Sequence, residues 1–197
     1  MSALRFYELK ISEIRQETPD CVSVLLEVPD DLKEAFIFQP GQYLTFRTSL
    51  TGQEVRRSYS ICAAPAEGEL RVAIKAVQGG KFSTHANTML KKGDVMEVMP
   101  PMGKFTPKRL GKQYLAFAAG SGITPIMGIM KEVLQREPDS QFTLVYGNRN
   151  RASIIFREEI EGLRSSAQRH RHNEASRHDC RAHARRAPSR DQRIKED

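Results

Sequence analysis

Tyr114-Leu115-Ala116-Phe117-Ala118-Ala119-Gly120-Ser121-Gly122-Ile123-Thr124-Pro125 is where the chain changes its rhythm. The six residues before the glycines form an unbroken apolar run, the pattern of a strand covered on both faces. A glycine turn follows, then a helical stretch from Thr124 to about Arg136 that Pro138 ends. Gln141 to Tyr146 reads as a second strand, and Ser153 to Leu163 as a second amphipathic helix. Strand, helix, strand, helix is the opening of a parallel doubly wound sheet. Two parallel strands do not complete such a sheet, because its first strand normally lies inside and needs a neighbour on the other edge. The expectation is an incomplete α/β unit over residues 107–163.

Upstream of Pro100-Pro101-Met102-Gly103 the period is two. Glu69 to Val77 alternates most clearly, with Leu70, Val72, Ile74 and Ala76 on one face and Arg71, Ala73, Lys75 and Val77 on the other. Phe6–Ile14, Val22–Val28, Gln42–Phe46, Glu54–Ser60 and Asp94–Val98 are the other predicted strands. Pro40-Gly41, Thr51-Gly52, Glu67-Gly68, Gly79-Gly80 and Lys92-Gly93 mark turns between them. Short strands at this spacing predict an antiparallel barrel over residues 1–106, interrupted by one helix from about Ser83 to Leu90.

The 197 residues hold 31 basic and 24 acidic side chains, a net charge of +7. The excess sits at the end: from Arg164 to Asp197 ten basic residues face five acidic ones, and the rest is near balance. A nucleic-acid-binding face is therefore not indicated, and the tail has no aromatic interleaving to support one. Its one large apolar side chain, Ile194, buries too little to offset an ordering entropy of ~1–2 kcal/mol per residue. Residues 164–197 are expected to be disordered, with the look of a truncated or frameshifted end. Three cysteines, Cys21, Cys62 and Cys180, stand far apart without a CxxC pair. That argues against a disulfide framework and against a metal site, and fits a reducing cytoplasm. No apolar run approaches the ~20 residues of a membrane span, and the start lacks a secretory layout. Cys62 reads as a buried thiol and His85 as a surface or helix-start residue. Met89, Met96, Met99, Met102, Met127 and Met130 read as core filling.

Four short motifs carry chemistry. In Arg57-Ser58-Tyr59-Ser60, alternation puts the guanidinium and the phenol on one side of a strand, suited to a phosphate and an aromatic ring system. Ser58 and Ser60 point the other way unless the strand bends. Gly79-Gly80-Lys81-Phe82-Ser83-Thr84 precedes a helix, either as an anion-binding turn or as a plain turn with Ser83 as N-cap. Gly120-Ser121-Gly122-Ile123-Thr124-Pro125 is a strand-to-helix turn whose amides would face a pyrophosphate, with Pro125 at a first-turn position. Tyr146-Gly147-Asn148-Arg149 ends the second strand, where such folds read the ribose; an arginine rather than an acid there suits a 2′-phosphate.

In this order and at these distances the motifs resemble the ferredoxin–NADP⁺ reductase superfamily, and within it the reductase components of bacterial phenylacetyl-CoA epoxidase, over residues 4 to 163. The resemblance implies a six-stranded FAD-binding barrel followed by an NADP-binding domain. It implies that Arg57 contacts the FAD pyrophosphate, that Tyr59 packs on the isoalloxazine, with Ser58 beside them, and that Ser60 hydrogen-bonds near flavin N5. Lys75, Ala76 and Val77 would line the flavin, and Gly80, Lys81, Phe82 and Ser83 would hold the pyrophosphate. Gly120, Ser121, Gly122, Ile123, Thr124 and Pro125 would form the nicotinamide loop, with Thr124 beside the reacting rings. Asn148 and Arg149 would favour NADPH over NADH. The implied activity is electron flow from NADPH through FAD to an oxygenase or ferredoxin acceptor in phenylacetate degradation, without nucleic acid or membrane, and with FAD binding kept but NADPH turnover expected to be weak or lost for want of the C-terminal half. Full-length relatives add a 2Fe–2S domain whose cysteine cluster has no counterpart here. The alternatives are an FAD-binding remnant without catalysis and, resting on the tail alone, a basic nucleic-acid-binding protein.

Overall fold

The computed structural model describes residues 5–107, 113–137 and 140–166. Six strands, β1 (Tyr7–Thr18), β2 (Cys21–Glu27), β3 (Tyr43–Leu50), β4 (Gln53–Ser60), β5 (Leu70–Lys75) and β6 (Val95–Val98), form one antiparallel sheet in the order β4-β3-β6-β1-β2-β5. Its two outer strands meet just past the end of β4. There Ile61 bridges Val72, and the Cys62 amide donates to the Arg71 carbonyl at 2.9 Å. Closure removes the free edges and makes the predicted barrel.

The period-two reading holds on the inner face: Leu70, Val72 and Ile74 join Leu9, Ile11, Val24, Leu44, Phe46 and Val98 in the barrel core. The other face of β5 is not a solvent face. Arg71 is buried there and donates to Glu13, Glu69 and Ser23. Ala73 is buried with Cys21 and Cys62 against Ile123, Met127, Met130 and Ile155 of the second unit. Burying apolar surface on both sides of the boundary welds the two units along one seam.

Helix α1 (Lys81–Thr88) starts earlier than expected. Gly80 takes the N-cap position instead of Ser83, whose hydroxyl lies inside the first turn, accepting from the Val77 amide and donating to the Gly80 carbonyl. In the second unit, β7 (Gln113–Ala119) and β8 (Gln141–Gly147) pair in parallel, with α2 (Ile123–Arg136) between them and α3 (Arg157–Ser166) after them.

Three expectations are corrected. The apolar run on β7 is not covered on both faces: Leu115 is 63% and Phe117 is 70% exposed, because no described element packs against that side. The last helix begins at Arg157 rather than Ser153. Asn150 caps a single 3-10 turn over residues 151–153, and Phe156 then takes a left-handed φ of 60°, which breaks helical continuity. Met96, Met99, Met127 and Met130 are buried as expected, but Met89 and Met102 are exposed. Pro138, Cys180 and the expected disorder beyond residue 166 lie outside the described residues; residues 164–166 continue α3.

Candidate functional site

Where β4 and β5 end, a cleft of about 280 Å³ opens between the barrel and the second unit. Arg57, Ser58, Tyr59 and Ser60 form one wall, Ala73, Lys75 and Val77 the next, Gly80, Phe82 and Ser83 the third, and Ser121 and Thr124 the wall from the second unit. Three of the four sequence motifs therefore meet in one place, from segments far apart in the chain.

The turn before α1 is held tight by glycine. A Cβ on Gly80 would lie 2.4 Å from Ser83 Oγ and 2.5 Å from Val77 Cγ2, so any side chain there would displace the Ser83 hydroxyl and the Val77 side chain. The first-turn amides of α1 have no partner within the helix and are left for acceptors outside it. The Phe82 side chain instead goes down into the barrel core, packed at 5.9 Å on Phe46 and at 5.6 Å and 30° on Tyr59. Tyr59 is thereby propped from beneath while still lining the cleft, and its burial pushes the phenol up to about 12. It stays a neutral ring with a hydroxyl donor at physiological pH.

The Arg57 guanidinium donates to the Arg56 carbonyl at 2.7 Å and has no carboxylate partner among the described residues, unlike Arg56, which pairs with Glu54. Lys75 reaches Asp20 at 3.5 Å, and Lys81 donates to Gln53. Ser58 shares a hydrogen bond of 2.9 Å with Thr45 across the β3–β4 pair. All four residues of the motif line the cleft although β4 pairs with β3 in unbroken register as far as Ser60.

On the opposite wall Gly120–Gly122 makes a single 3-10 turn. Thr124 is buried, and its hydroxyl donates to the Ser121 carbonyl at 3.0 Å. The Ile123 amide points inward to the Gly120 and Ser121 carbonyls, and Tyr146 donates to the Gly120 carbonyl at 2.9 Å. The predicted positions Ala76, Lys81, Gly120, Gly122, Ile123, Pro125, Asn148 and Arg149 do not line this cleft. Arg149 is exposed beyond the end of β8, and Asn148 beside it keeps a buried side-chain oxygen without a hydrogen-bond partner. Ala73 is the lining residue that sequence reading passed over. Its signal was its shared β5 face with Lys75, and its small size leaves room in the wall.

Residues 8–106 match the oxidoreductase FAD-binding domain family, and residues 117–194 match the oxidoreductase NAD-binding domain family. The chain belongs to the ferredoxin reductase family of FAD/NAD-binding oxidoreductases. The E component of 1,2-phenylacetyl-CoA epoxidase from Escherichia coli is 46% identical over 163 residues, covering 81% of this chain and 46% of that protein. The ferredoxin reductase component of 3-ketosteroid-9-alpha-monooxygenase from Rhodococcus rhodochrous is 39% identical over 79% of this chain and 44% of its own length. The chain thus spans about half the length of the curated relatives it matches. Among solved structures, the FAD/NAD-binding domain of a nitric oxide dioxygenase from Vibrio cholerae superposes with a TM-score of 0.74 at 25% identity, over 83% of this chain and 71% of that one. Phthalate dioxygenase reductase superposes with a TM-score of 0.69 at 26% identity, over 88% of this chain and 53% of that one. The family match extends past residue 163, the boundary that the composition of the tail suggested. Among the described residues no cluster of His, Cys, Asp and Glu could hold a metal ion, and no helix is long and apolar enough to cross a membrane.

Proposed function

We propose that the cleft takes the isoalloxazine of FAD and that the chain works as the flavin-bearing part of an NADPH-dependent reductase. The carrying observation is the convergence of Arg57–Ser60, Lys75 and Val77, the Gly80 turn, and Ser121 with Thr124 around one cavity shared by both units. The residues fit the group: an arginine without an acid partner, a helix start closed to side chains by Gly80, and a propped neutral tyrosine. Bound FAD would supply the link between a two-electron hydride donor and a one-electron acceptor.

In this reading Arg57 and the first-turn amides of α1 hold the pyrophosphate. Tyr59 packs against the ring system, and the half-buried Ser60 offers its hydroxyl to flavin N5. Lys75 and Val77 border the ring edge. Thr124, opposite Ser60, keeps the nicotinamide close to the flavin and keeps water out. Arg149 meets the 2′-phosphate that separates NADPH from NADH. The acceptor is an oxygenase or its ferredoxin, and the likeness to the epoxidase component favours phenylacetate degradation as the setting. The free, buried Cys21 and Cys62 support a cytoplasmic location.

FAD titration followed by visible absorbance and flavin fluorescence tests the first half of this reading. The protein is expected to bind FAD, and Arg57→Ala to bind it about 10–100-fold more weakly, the usual worth of a charge-assisted hydrogen bond. A colourless protein that ignores FAD would sink it. Oxidation of NADPH and NADH with an artificial acceptor tests the second half, with Arg149→Ala expected to erase the preference for NADPH. A second reading, FAD binding without turnover, draws on the inward-turned Ile123 amide and the uncovered face of β7. Absence of NADPH oxidation by an FAD-loaded protein would select it.

A further inference from the structure

Helix α2 touches the barrel at a glycine. A Cβ on Gly128 would lie 2.8 Å from the Ala63 carbonyl oxygen and 3.1 Å from that of Ile61, both backbone atoms with nowhere to swing. Ile61, Cys62 and Ala63 directly follow Ser60, so the chain that carries one wall of the cleft is also the surface on which α2 rests. Thr124, on the opposite wall, stands one turn before Gly128 on the same face of the helix. Lys131, one turn after Gly128, is buried on that face and pairs with Glu67 of the barrel at 3.2 Å and with Glu159 of α3 at 2.5 Å. The helix is thus held to the barrel by an ion clasp at one turn and by bare backbone contact at the next, with the cleft at the third.

We propose that Gly128 is a positioning residue that sets how closely the Ser121–Thr124 wall stands to the Arg57–Ser60 wall. The absence of a side chain lets α2 settle onto the Ile61–Ala63 backbone; any Cβ moves the helix, and Thr124 with it, away from the flavin-facing strand. The proposal rests on the functional reading above only for its flavin readout.

The test compares Gly128→Ala with Gly162→Ala. Both glycines sit inside helices, but a Cβ on Gly162 meets nothing within 4 Å among the described residues. Alanine is the better helix former, so without a steric contact either substitution raises the melting temperature. Nitroxide labels on Lys92→Cys and Gln135→Cys, with Cys180→Ser, report the distance between barrel and α2 by pulsed electron paramagnetic resonance. The buried Cys21 and Cys62 are shielded from the label. Gly162→Ala is expected to raise the melting temperature and leave the distance unchanged. Gly128→Ala is expected to lower it, lengthen the distance and leave bound flavin less quenched in fluorescence. A wild-type distance for Gly128→Ala, at whatever melting temperature, would overturn the proposal. If the unaltered protein bound no FAD, the functional reading would fall, while the distance and melting comparisons would still decide the role of Gly128.

Discussion

Arg71 stands on β5 at a position whose alternation suggests solvent, yet its guanidinium is buried and donates to Glu13, to Glu69 at 3.0 Å and to Ser23 at 3.3 Å. Hydrogen bonds from Arg15 and Arg71 hold the Glu13 carboxyl down at about 2, well below its ordinary 4.5. A carboxyl lowered on folding contributes stability that is present above its unfolded value and lost as pH falls toward the folded one. Melting temperature is therefore expected to drop between about pH 4.5 and about 2, and Glu13→Gln, already low at neutral pH, to show a flatter acid limb. An equal acid slope in both proteins would remove Glu13 from the account. The thiols behave oppositely: burial pushes Cys21 up to about 12 and Cys62 higher still. Neither is expected to react with a thiol reagent at neutral pH until the protein unfolds, which a reagent assay with and without denaturant reads directly.

Asn87 anchors helix α1 on β5: its side chain donates to the Ile74 carbonyl at 2.9 Å and to the Ser83 carbonyl at 2.8 Å. Asn87→Ala is expected to cost about 1 kcal/mol per lost hydrogen bond and to weaken FAD binding, because the Gly80–Ser83 turn loses its anchor on β5. Calorimetry and FAD titration check the two effects separately. On the sheet of the second unit, two substitutions in neighbouring strands should part company. Phe117→Thr on the bare face of β7 is expected to change stability by no more than ~0.5 kcal/mol, whereas Leu144→Ala, buried on β8, costs about 2–5 kcal/mol. Chemical denaturation measures both. The elements themselves were legible because their signals are local: period two for β5, glycine and capping residues for the turns, an apolar run before a helix for β7 and α2. The start of α3 was not legible. Between the 3-10 turn and the helix Ile154 is extended and Phe156 takes a left-handed φ, while Ile155, Phe156 and Ile160 are buried in the second core, and no local pattern announces that combination.

At the scale of the molecule, the seam between barrel and second unit decides whether there is a site at all. Burial works to lower the Lys131 ammonium, and Glu159 and Glu67 overcome it, leaving the group above its ordinary value and charged. Lys131→Met is expected to cost about 1–3 kcal/mol, because two carboxylates lose their partner, and to broaden the thermal transition as the units uncouple. A sharp transition at the wild-type temperature would show that the apolar seam alone joins them. The two kinds of body, their order and the four motifs could be read from neighbouring residues, where strand alternation, turn glycines and helix starts are written. Which motif residues meet was settled by packing across the chain. It brought Ser121 and Thr124 to Arg57–Ser60 and left Arg149 outside the cleft. It also buried Arg71 and Ala73 and put Ala73 into the wall. The physical reason is that these outcomes depend on where α2 comes to rest on Ile61–Ala63, a contact between segments some 65 positions apart that packing sets and local periodicity cannot express.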